Sequence, residues 1–175
     1  MRVDESSFKL WHSVDVRFKD IDLGGHAHHS LALVFFEEAR AAYWKDVVGR
    51  GSLDEVDFIM AEARVRYHAR ILYPLRMKVG VRVATLGRKH FVMEYLIVDP
   101  EGVHLASGET TMIMYDYHGG RSKRVPDGVR KCIEVHEGLD RAESFSESSR
   151  PERSKNPQFP DLFPSETCNR MRRCE

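Results

Sequence analysis

One segment restricts the fold more than any other. Across residues 30–48, apolar side chains recur at helical spacing, with Leu31, Val34, Phe35, Ala39, Ala42 and Tyr43 on a single stripe. Leu33, Phe36, Trp44 and Val47 lie off that stripe, so the helix is apolar nearly all round. Such a helix cannot rest on a surface with one side in water; other structure has to wrap it. Ser30 is placed to cap its start, and Gly49 and Gly51 supply its stop.

The rest of the patterned chain is strand-like. Residues 14–18 alternate Val14, Val16 and Phe18 against Asp15 and Arg17. After the helix, residues 62–68, 76–83, 90–98 and 104–115 read as strands, with turns at Gly87 and at Asp99–Gly102. Pro126 then opens a short helix that presents Val129, Ile133 and His136 on one face and stops at Gly138. The order predicts an α+β domain, one long buried helix wrapped by a curved antiparallel sheet of about five strands.

A chain of 175 residues amounts to about one such domain. From Leu139 the pattern stops: the remaining residues are rich in Pro, Ser and charge and carry no helical or strand period. The expected division is a folded domain over 1–138 and a disordered tail over 139–175. Cys132 alone sits in patterned sequence, because Cys168 and Cys174 fall in the tail, so neither a disulfide framework nor a metal finger is expected. No apolar run is long enough to cross a membrane, and the opening MRVDESSFKL has no apolar core. A soluble cytoplasmic protein is the expectation.

Lys plus Arg and Asp plus Glu both total 27, which argues against a partner that is a nucleic acid or an anionic membrane. The balance is uneven along the chain. Residues 1–61 hold 7 basic and 11 acidic side chains, and residues 62–138 hold 13 basic and 9 acidic. An acidic catalytic end and a basic patch for an anionic substrate would give this pattern; so would ordinary solvated strand faces.

The densest polar cluster runs from Asp20 to Ser30 and contains Asp22, His26, His28 and His29. It joins a strand end to the N-terminus of the buried helix, where unpaired N–H groups and a partial positive charge suit an oxyanion. The pair Gly24–Gly25 lets a ligand come close to the backbone. Three readings fit the residues: a capped surface loop, a metal site built on Asp20, Asp22, His26 and His28, and metal-free hydrolysis of an activated ester. The run HAHHS is similar to the signature of metallo-β-lactamase-like hydrolases but lacks its Asp–His pair, and no second His/Asp cluster follows.

The segment VDVRFKDIDLGGHAHHSLALVFFEEARAAYW resembles the signature of the 4-hydroxybenzoyl-CoA thioesterase family, a branch of the hotdog fold. Arg17, Phe18, Asp20, Asp22, Gly25, His26, His29, Phe36, Glu37, Ala39 and Arg40 match its pattern, and the likeness extends over about residues 10–138. The resemblance implies an acyl-CoA thioesterase that needs no cofactor or metal and assembles as a homodimer or homotetramer. Each site would take residues from both chains. Asp22 becomes the catalytic carboxylate, as general base or nucleophile, and an N–H at the helix start polarises the thioester carbonyl. His29 joins it as a catalytic residue, Gly25 allows close approach, and His28 lines the acyl pocket. The resemblance gives Asp20 a structural part and makes Glu37 and Arg40 an ion pair. Arg88, Lys89 and His90, at the turn before the fourth strand, would bind the nucleotide end of CoA, with Arg64, Arg66, Arg121, Lys123 and Arg124 as further candidates. Phe18 stands where some relatives carry Tyr. Three alternatives remain: a non-catalytic acyl-CoA-binding hotdog module, a hotdog hydratase, and a metal-dependent hydrolase using His26 and His28.

Overall fold

The computed structural model describes residues 4–52 and 55–139. Apart from Leu139, the expected tail lies outside these residues. The elements follow the order β1 (Leu10–Asp15), α1 (Leu31–Asp46), β2 (Phe58–Tyr67), β3 (Arg76–Leu86), β4 (His90–Val98), β5 (His104–Asp116), β6 (Arg121–Ser122) and α2 (Asp127–Glu137). The sheet is antiparallel throughout in the order β1-β3-β4-β5-β2, with the two-residue β6 paired to the end of β5. This is the curved sheet around one long helix that the hydrophobic pattern predicts.

The core is what α1 and the inner sheet face enclose. Phe35, Phe36, Ala39, Tyr43 and Trp44 of α1 are buried against Met77, Val79, Val81 and Val83 of β3 and Phe91, Met93, Tyr95 and Ile97 of β4. The Phe36 ring stacks on Tyr95 with centroids 4.4 Å apart, and Trp44 stacks on Phe91 at 5.2 Å. Gly108 on β5 faces the same ring, and a Cβ there would stand 2.6 Å from Phe36 Cε2. The helix can approach β5 this closely because that position carries no side chain.

Three expectations are corrected. The first strand covers Leu10–Asp15, not 14–18, because Arg17 and Asp20 close a 3-10 turn over Phe18–Asp20 that ends the ladder. Phe18 consequently leaves the core, is 79% exposed, and meets only the edge of the Tyr73 ring. Ser30 has helical dihedrals and makes no side-chain cap bond; its Oγ lies 2.9 Å from His28 Nδ1 instead. Finally, α1 is not covered all round in the single chain, since Val34, Glu37, Ala41 and Lys45 form an exposed stripe.

The strand β2 stands apart from the others. Residues 60–64 are exposed on both faces, and one edge of the strand has no partner among the described residues. A ten-residue strand left open on both faces and at its edge is unusual in a single chain.

α2 packs against β3. Val129 and Ile133 are buried, and Gly138 ends the helix with φ 75°. The Glu137 carboxylate accepts from Tyr43 Oη at 2.6 Å and from Val83 N at 3.0 Å, where the β3–β4 register shifts.

Candidate active site

The polar cluster folds as a small hairpin. Ile21 bridges Ala27, and Asp22 N donates to His26 O at 3.0 Å. Gly25 N donates to Asp22 O at 3.0 Å, and Gly25 takes φ 73°, the left-handed residue that such a turn needs. The Asp22 side chain organises the tip: Oδ1 accepts from Gly24 N at 2.7 Å and stands 3.7 Å from His26 Nδ1. A Cβ at Gly24 would come 2.9 Å from His26 Nε2 and 3.0 Å from Asp22 Oδ1, so any larger residue would have to displace these two side chains.

Asp20 holds the base of this hairpin. It is 4% exposed, and its carboxylate accepts from Arg17 N at 2.9 Å and Arg17 Nε at 3.1 Å. Burial pushes its carboxyl up, but these hydrogen bonds and the charges of Arg17 and Lys19 outweigh burial and hold it below the usual carboxylate range. Its carbonyl accepts from His28 N at 2.9 Å, which sets the chain's entry into α1.

The chain then climbs through His28, His29 and Ser30 to Leu31, whose N–H bonds His28 O at 2.9 Å. The rings of His28 and His29 lie 4.0 Å apart. Among the described residues, none accepts a hydrogen bond from the His29 N–H. The His29 carbonyl is held from across the sheet, because Tyr67 Oη at the end of β2 donates to it at 2.5 Å. A second tie, Ala27 N to Ile71 O at 2.8 Å, fixes the hairpin to the segment after β2.

Between these two segments lies a cavity of about 340 Å³. His26, Ala27, His28, His29 and Ala32 form its helix side, and residues 67–71 form the other. His26, His28 and His29 therefore share one cavity; Asp22 is not on its lining, and its carboxylate, 26% exposed, stands beside His26. Gly25 is exposed at the hairpin tip. Sequence reading missed Tyr67, His68 and Arg70. Tyr67 was visible only as one more residue of an alternating strand, and contact with a loop 38 positions away leaves no local trace.

His68 Nε2 lies 2.8 Å from the Oγ of the buried Ser107. Burial, then the charges of His104 and Arg66, lower its pKa, so the ring is neutral at neutral pH. Among the described residues, no group of three His, Cys, Asp or Glu side chains could hold a metal ion.

Arg88, Lys89 and His90 are exposed at the β3–β4 turn. Lys89 Nζ donates to Ser122 Oγ at 3.1 Å, and the carbonyls of Arg88 and Lys89 accept from Val125 N and Met114 N. The single chain does not bring this turn to the cavity. Tyr67 is in register with Ala106, whereas the turn end of β4, Phe91, is in register with Met112. Six residues along β5 are roughly 20 Å. Of the other basic candidates, Arg64 stands 3.3 Å from Glu109 and Lys123 stands 3.0 Å from Asp57. Arg40 is buried, 3.8 Å from Glu37 and 3.4 Å from Tyr95 Oη.

A family model described as the thioesterase-like superfamily matches residues 16–133. A thioesterase from Thermus thermophilus, solved with coenzyme A and Zn, is 33% identical, with a TM-score of 0.70 over 77% of this chain and 98% of that one. A DHNA-CoA thioesterase from Staphylococcus aureus superposes with a TM-score of 0.67 at 21% identity, over 78% of this chain and 95% of that one. The uncharacterized protein YsmA of Bacillus subtilis is 22% identical over 129 residues, 74% of this chain and 88% of its own.

Proposed function

The chain belongs to the thioesterase-like superfamily and has its hotdog fold, and from that premise we propose that it hydrolyses an acyl-CoA thioester to the free acid and CoA. One observation carries the reading. The unpaired His29 N–H, at the start of α1, and the Asp22 hairpin flank one cavity. An ester carbonyl there would have a donor for its oxygen, with the Asp22 carboxylate one side chain away, beside His26. The Thermus relative, solved with coenzyme A, supports CoA as the carrier.

In this mechanism the thioester oxygen accepts from the His29 N–H, in the positive field of the α1 N-terminus. That bond strengthens as charge moves onto the oxygen in the transition state. Asp22 either takes a proton from the attacking water or attacks the carbonyl carbon itself, giving an acyl anhydride that water then opens. The carbon–sulfur bond breaks in both routes, and the CoA thiolate leaves and takes up a proton. Gly24 N–H and the His26 ring aim the Asp22 carboxylate. The His29 imidazole orients the water, and His28 borders the acyl group.

The active form in this reading is a cytoplasmic homodimer or a tetramer of such dimers, joined through the open edge of β2. Antiparallel pairing of two β2 strands places the Tyr67 end of one beside the Phe58 end of the other. The turn carrying Arg88, Lys89 and His90 then lies on the side of the partner's cavity, about three strand spacings or roughly 15 Å across. CoA laid over that distance would leave its phosphates on this turn and its thioester in the partner's site.

The test is thiol release over a panel of short, branched, aromatic and long-chain acyl-CoAs, with Asp22→Asn beside the wild type. Turnover by the wild type and a loss of roughly 10²- to 10⁴-fold in Asp22→Asn is the expected result. Tight acyl-CoA binding without turnover would instead make the chain a non-catalytic acyl-CoA-binding module. Activity lost to a chelator would return the chemistry to a metal at His26 and His28.

A further inference from the structure

The mechanism uses the helix side of the cavity and, on the other side, only the Tyr67 hydroxyl and the Ile71 carbonyl; the side chains of residues 68–71 are left without a task. That wall has a definite composition. Ala69 and Ile71, with Ala27 and Ala32, supply its apolar lining, while beyond Tyr67 the polar members of this wall are His68 and Arg70. Among the described residues, no carboxylate lies on the lining. His68 is held by Ser107 Oγ, and the fixed charges nearest it include Arg66. At about 340 Å³ the space is near the small end of ligand pockets and takes an acyl unit rather than a coenzyme.

Resting on the thioesterase reading, we propose that the acyl group carries an anionic far end, a carboxylate on a short apolar body, and that Arg70 with His68 reads it. A cavity with apolar walls and charge of one sign focuses its field on an anion. The guanidinium fork suits a carboxylate, and the neutral His68 ring can give it one further hydrogen bond. An alkyl acyl chain of equal length would fill the same space and leave both groups without a partner, which makes the wall a device for discrimination. The negative charge sits at the end of the acyl group remote from Asp22, so it does not oppose the catalytic carboxylate.

A matched pair tests this: adipyl-CoA against hexanoyl-CoA, with six carbons each and differing in the terminal carboxylate. The wild type is expected to favour adipyl-CoA at least tenfold in kcat/KM, chiefly through KM. Arg70→Met should reduce that ratio about tenfold, and Arg70→Lys should retain most of it, which separates charge from folding. The same ratio should hold for the two N-acetylcysteamine thioesters, which have no nucleotide. A wild type that favours hexanoyl-CoA overturns the proposal. So does an Arg70→Met loss equal for both CoA esters and absent from both N-acetylcysteamine esters, which would put Arg70 on the nucleotide phosphates. If no thioester is hydrolysed at all, the thioesterase reading fails instead.

Discussion

Asp20 and Asp22 are two positions apart and do different work. Asp20 is buried with its Oδ2 held twice by Arg17, whereas Asp22 is partly open, its Oδ1 accepting from Gly24 N–H and standing 3.7 Å from His26 Nδ1. Because the Asp20 carboxyl is held below its unfolded value, its contribution to stability is complete above the unfolded pKa of about 3.9. It is lost as pH falls from there through the folded pKa. Asp20→Asn should therefore lower the urea midpoint at pH 6 and lower it less at pH 3; an equal loss at both would remove the carboxylate from this role. Tyr67→Phe deletes the bond to the His29 carbonyl and, in the proposed mechanism, lets the N–H that polarises the thioester drift. One hydrogen bond of about 1 kcal/mol corresponds to a roughly fivefold fall in kcat, with KM little changed. The D-x-D spacing was legible because both carboxylates and their turn lie within a few residues. Tyr67, His68 and Arg70 were not, since strand pairing decides what they face.

The helix α1 shows what a hydrophobic period can and cannot say. Its apolar excess correctly demanded a sheet that curls around it, and residues such as Phe36 and Trp44, off the main stripe, are buried. The exposed stripe through Val34, Glu37, Ala41 and Lys45 is the side the sheet does not reach, and a period alone does not show where a sheet ends. Gly108 is the complementary case: a glycine inside a strand reads as a weakness, but here it is a seat for the Phe36 ring. Gly108→Ala forces that Cβ into Phe36 and the Arg64 carbonyl and should cost about 1–3 kcal/mol in urea unfolding. In a Phe36→Leu background the ring is gone and the same substitution should cost measurably less, a coupling that only direct contact produces. The end of the helix is tied as firmly. Glu137→Ala leaves Tyr43 Oη and Val83 N without their acceptor and should cost about 2 kcal/mol or more by the same measurement.

For the molecule as a whole, β2 is the open question that the fold poses. Its sequence alternates like a half-buried strand, yet residues 60–64 are exposed on both faces, so the described residues leave them without a cover. A second copy fits in detail. If the two β2 strands pair antiparallel about Ala63, Glu62 of each copy falls opposite Arg64 of the other, and Ala61 falls opposite Val65. Oppositely charged cross-strand neighbours contribute about 0.2–1 kcal/mol each, and like charges in the same place oppose pairing. Arg64→Glu would turn both symmetric pairs from attractive to repulsive, a change of about 1–3 kcal/mol and hence roughly 5- to 140-fold in dimer dissociation. Sedimentation should show the wild type at a multiple of 20.2 kDa that Arg64→Glu shifts towards single chains. The double swap Glu62→Arg with Arg64→Glu should restore it. Under the proposed function, thioesterase activity should follow the dimer through both steps, since in that reading the turn with Arg88, Lys89 and His90 serves the partner's cavity across that edge. Activity that persists in dilute single chains would leave those residues outside the site, and a double swap as weak as Arg64→Glu alone would move the dyad away from Ala63.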